Sequence, residues 1–70
     1  MKIGEMKWEL LAERVLLLAG TKIIIIYFPG HNPYHVHRAA SCHGAFQHLE
    51  DAKEHVLVVV AELMEMGVDP

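Results

Sequence analysis

The stretch HNPYHVHRAASCHGAFQH, residues 31 to 48, holds five of the six histidines and the only cysteine of the chain. Imidazole and thiolate are the side chains that ligate borderline-soft metal ions, titrate near neutral pH and, when paired, make nucleophiles. His35 and His37 stand two apart in a segment that reads as a strand, so both rings leave the same face and could chelate one ion. Cys42, His43 or His31 would complete a tetrahedron, and zinc suits such a mixture. The candidate metal ligands are His35, His37, Cys42 and His43. Strand alternation also offers a plainer reading, in which the two histidines are the polar face of an edge strand opposite Val36. There is no second CxxC or HxxxH pair of the kind that zinc modules carry.

Two other chemistries can be weighed on the same residues. Cys42 with His43 or His48 is formally a nucleophile and base, but neighbours in a strand point oppositely and no carboxylate is placed to orient the histidine. A chain of 70 residues also has little room to enclose a substrate pocket, so no catalytic residue is assigned and no enzyme is expected. Clustered histidines would gain charge together as pH falls and weaken any interface they line, although a solvated surface would titrate without consequence. No glycine-rich phosphate loop, paired-carboxylate arrangement or EF-hand loop is present in the sequence.

The elements that must position these groups follow from periodicity. Lys22 to Phe28, with four consecutive isoleucines, has the composition of a strand, and its unbroken apolar run implies cover on both faces. Pro29, Gly30, Asn32 and Pro33 make a turn, after which Tyr34 to Ala40 alternates as a second, antiparallel strand. Ser41 to Gln47 reads as a short connection, within which a further strand pair could form around Gly44 to Phe46. Leu49, Ala52, Val56, Val59, Val60, Leu63 and Met66 mark a helix that ends at Gly67. Glu5 to Ala19 is rich in helix formers, with Trp8, Leu11, Ala12, Val15, Leu18 and Ala19 at helical spacing; the alternative is a strand over Arg14 to Leu18. The expected fold class is therefore α+β in one domain, residues 1–70: a small antiparallel sheet of two to three strands between an N-terminal and a long C-terminal helix.

Composition narrows the partners. A net charge of -3, with the basic residues scattered, leaves no footprint for nucleic acid. The apolar stretch Val15 to Phe28 is interrupted by Gly20, Thr21 and Lys22 and falls short of a membrane span, and acidic residues near the N-terminus do not fit a signal peptide. One cysteine suits a reducing, cytoplasmic setting. A hydrophobic fraction of 53% in so short a chain predicts that another protein chain hides part of the surface, as in a homodimer. Leu57, Val58, Ala61 and Met64 lie outside the helix stripe, and with Tyr34, Val36 and Arg38 of the second strand they make the expected interface.

The order KIIIIYF, turn, YHVHR, SC turn and QHLEDAKEHV before an apolar helix ending in GVDP resembles the HicB antitoxin domain over residues 22–70. Ser41 and Cys42 stand where that family has Gly-Cys, and Phe46 to Ala52 take the place of its Gly-Asp-Thr-Leu-Glu-Glu-Ala segment. The proline that usually ends the second strand is missing, and some twenty residues precede the first. The resemblance implies a small α+β domain that pairs with itself or with a toxin-like protein. The strand and helix order is also similar to double-stranded RNA-binding domains, but LEDAK stands where those have a basic segment, which argues against RNA. The expected function is a non-catalytic protein-binding module, antitoxin-like or an inhibitor of the kind carried by phages and mobile elements; the alternative is a zinc-binding protein using His31 to His48.

Overall fold

The computed structural model describes residues 7–70. Five strands, β1 (Trp8–Ala12), β2 (Val15–Leu18), β3 (Ile23–Tyr27), β4 (Tyr34–Arg38) and β5 (Ser41–Phe46), precede one helix, α1 (Leu49–Glu65). The strands form an antiparallel meander in chain order, and α1 lies across one face of it. The expected N-terminal helix and the sheet of two to three strands are thus both corrected. From Trp8 onward the segment read as helix is a hairpin that extends the sheet, while Glu5 and Met6 lie outside the described residues.

The physical reason is the neighbour. Val15, Leu16 and Leu17 pair with Ile26, Ile25 and Ile24, so β3, the strand with the strongest β propensity, templates β2, and β2 in turn pairs with β1. Leucine, alanine and glutamate are good helix formers, but propensity differences amount to less than about 1 kcal/mol per residue, and a ladder partner overrides them. Gly20, at φ 80°, does not cap a helix; it turns β2 into β3, where Thr21 Oγ1 donates to the Leu18 carbonyl oxygen at 2.7 Å.

Register decides what each face carries. Ile23 and Ile25 point toward α1, as do Leu18 and Val36, and these four join Ala52, Val56, Val59, Val60 and Leu63 in the core. Ile24 and Ile26 point the other way and are only half-buried, so the expected cover on both faces is not met among the described residues. The helix begins at His48 without a side-chain cap and ends in a Schellman arrangement, with Gly67 at φ 75° and the Val68 N–H bonded to the Leu63 carbonyl at 2.8 Å. The tail then returns to the sheet: the Lys22 N–H donates to the Pro70 carbonyl, and the Arg38 guanidinium donates to that of Asp69. Among the described residues no helix is long and apolar enough to cross a membrane.

Two substitutions test this layering. Ile25→Ala should cost about 2–5 kcal/mol in chemical denaturation, whereas Ile24→Ala, one residue along on the half-buried face, should cost only about 1 kcal/mol. Equal losses would mean that the faces are misassigned. Ala39, in the two-residue turn between β4 and β5, has φ 52°, a region disfavoured for any residue with a Cβ. Ala39→Gly should therefore raise the thermal midpoint by roughly 2–4 °C, the entropy of glycine offsetting part of the relief.

Candidate metal centre

The outer face of the sheet, away from α1, is where the histidines of β4 emerge. His37 pairs with Ile24 and His35 with Ile26, which fixes both rings on the face opposite Val36. The rings lie nearly parallel, 21° apart in plane with centroids separated by 6.2 Å. His35 is further oriented by Phe28, whose ring meets it edge-on at 5.1 Å.

The third group arrives through an irregularity in β5. Tyr34, His35 and Val36 oppose Phe46, Ala45 and Gly44 in regular register, and continuing that register would set His43 against His37. Instead the pairing slips by one residue at this point, so that Cys42 opposes His37 and Ser41 opposes Arg38. His43 is the extra residue of a β-bulge. Gly44, at φ 137°, accommodates it; a Cβ there would sit 3.2 Å from the Phe46 ring.

The result is that one ligand atom from each of His35, His37 and Cys42 lies within 4.8 Å of the others. Tetrahedral zinc, with bonds of about 2.0–2.1 Å to nitrogen and 2.3 Å to sulfur, asks for separations of roughly 3.3–3.7 Å. Cys42 is an exposed free thiol whose Sγ lies 3.9 Å from the Gly44 carbonyl oxygen. Among the described residues, Nε2 of His37 is buried and has no hydrogen-bond partner. A polar atom in that state costs on the order of 1–3 kcal/mol until something binds it.

The other sequence candidates fall elsewhere. His43 belongs to the bulge and not to the trio, His31 lies in the exposed loop between β3 and β4, and His48 precedes α1. Of the expected interface residues, Val36 is fully buried against α1 and Tyr34 packs on the core, while Val58, Ala61 and Met64 are exposed on the helix and Leu57 is half-buried. Sequence reasoning passed over His55. Its Nε2 lies 3.0 Å from the His43 carbonyl, and its ring is 5.0 Å from that of Phe46. The signal was available, since position 55 falls three residues after Ala52 and four before Val59 on the buried stripe. Comparison of the chain with family models, curated proteins and solved structures gave no match.

Proposed function

We propose that the protein is a small, non-catalytic binding protein that takes a borderline-soft divalent ion, zinc foremost, on the outer face of its sheet. The observation that carries this reading is the convergence of His35, His37 and Cys42, two of them on one strand and the third delivered by a bulge. Imidazole with thiolate selects zinc over the hard cations, which prefer oxygen. Three protein ligands leave one coordination position for water or a further donor. The ion would also supply what so short a chain lacks, an added source of stability. A reducing compartment would keep Cys42 as a free thiol, and ligation of the ion would take up its sulfur as thiolate with release of the proton.

Titration of the metal-free chain should show one zinc per chain, and an excess of about 100 times Kd should stabilise the fold by about 2.7 kcal/mol. His37→Ala or Cys42→Ser should remove most of both effects without unfolding the protein. A wild-type chain that neither binds zinc nor gains thermal stability from it would end this reading.

A second reading has its own observation. Val15, Leu17, Ile24 and Ile26 make an apolar stripe beside the histidines, and among the described residues Glu9 is the only Asp, Glu, Lys or Arg that the strand pairing places on this face. Such a face suits a second copy of the chain, or a toxin-like protein, better than water. If it mediates self-association, light scattering should give a dimer for the wild type and a monomer for Leu17→Lys, which lies two strands away from His35 and His37. A wild-type monomer at high micromolar concentration would remove the dimer.

A further inference from the structure

Resting on the ligand set proposed above, we propose that His55 is a positioning residue that holds β5 in its bulged register and thereby chooses the thiolate of Cys42, over the imidazole of His43, as the third metal ligand. A carbonyl oxygen only accepts, so the His55 ring carries its proton on Nε2 and donates it to the His43 carbonyl at 3.0 Å. A bulge leaves its extra residue without a ladder partner, and α1 supplies the partner here. The Phe46 ring, 5.0 Å from that of His55, fixes the helix over the same spot.

The alternative register is close at hand. Unslipped pairing would set His43 against His37 and Cys42 against Arg38, lengthening the turn from Ala39 and Ala40 to Ala39, Ala40 and Ser41. Three-residue hairpin loops are common, so nothing in the turn forbids the change. A shift of one residue exchanges the faces, sending Cys42 toward the helix side and His43 to the outer face. The two ligand sets are therefore mutually exclusive. One contains a thiolate and binds soft ions; the other contains three imidazoles.

Cobalt(II) is the probe, because thiolate ligation adds an intense near-ultraviolet charge-transfer band that imidazole ligation lacks. The full chain and H55Q, which can still donate to the carbonyl, should both show the band. H55F keeps an aromatic ring beside Phe46 but loses the donor; it should bind cobalt about 10- to 100-fold more weakly and lose the band. Cys42→Ser should lose the band with His55 in place, which ties the signal to this thiol. Nuclear Overhauser contacts in the metal-free protein give an independent reading of register. The cross-strand contact between His37 and Cys42 should give way to one between His37 and His43 in H55F. If H55F does not fold, His55→Leu replaces it. An H55F protein that retains both the band and the His37–Cys42 contact overturns the assignment. Should the wild type bind no cobalt, the ligand set falls, and the cross-strand contacts still decide whether His55 sets the register.

Discussion

Everything in this molecule hangs on the pleat of β3. Four isoleucines in a row give it apolar side chains on both faces, but only Ile23 and Ile25 meet the helix. That choice of phase places Val36 inward opposite Ile25, which sends its neighbours His35 and His37 outward. It also sets β2 in register, and β2 then recruits β1. Shifting β3 by one residue would bury the histidines and expose Val36, so core packing and the candidate site are one constraint seen from two sides.

The two faces are unequal in how they are stabilised. On the helix side, nine of the described residues are buried in a continuous core, and none of the nine is polar or charged. On the outer side, the isoleucines of β3 continue into histidines on β4 and a thiol on β5, so an apolar strip grades into a ligand cluster. Among the described residues, His37 Nε2 and Arg38 Nε are buried without a hydrogen-bond partner, a local cost that the apolar core on the helix side does not carry. Metal binding and association with another chain would both act on the outer face, and neither would disturb the helix.

Much of the fold was legible. The strand from Lys22 to Phe28, the turn through Pro29 to Pro33, the alternating strand at Tyr34 and the helix stripe of Ala52, Val56, Val59, Val60 and Leu63 stand in the structure close to where periodicity put them. Met66, assigned to the same stripe, is mostly exposed beyond the helix end. The N-terminal hairpin was not legible, because WELLAERVLLLA has helix-forming composition and its strand character comes from pairing with β3. Composition reports local preference, and a sheet is a non-local structure.

By itself the sequence determined which chemistry is available: two histidines spaced to share a strand face, a single thiol nearby, and no second ligand pair. It also determined where the core helix runs, since an amphipathic stripe is a local property. It could not choose between Cys42 and His43, because alternation assigns faces only while register is unbroken. Tertiary structure made that choice through the bulge in β5, with His55 reaching across from the helix to the His43 carbonyl. A one-residue slip is invisible in composition and periodicity, yet it decides which side chain stands beside His37.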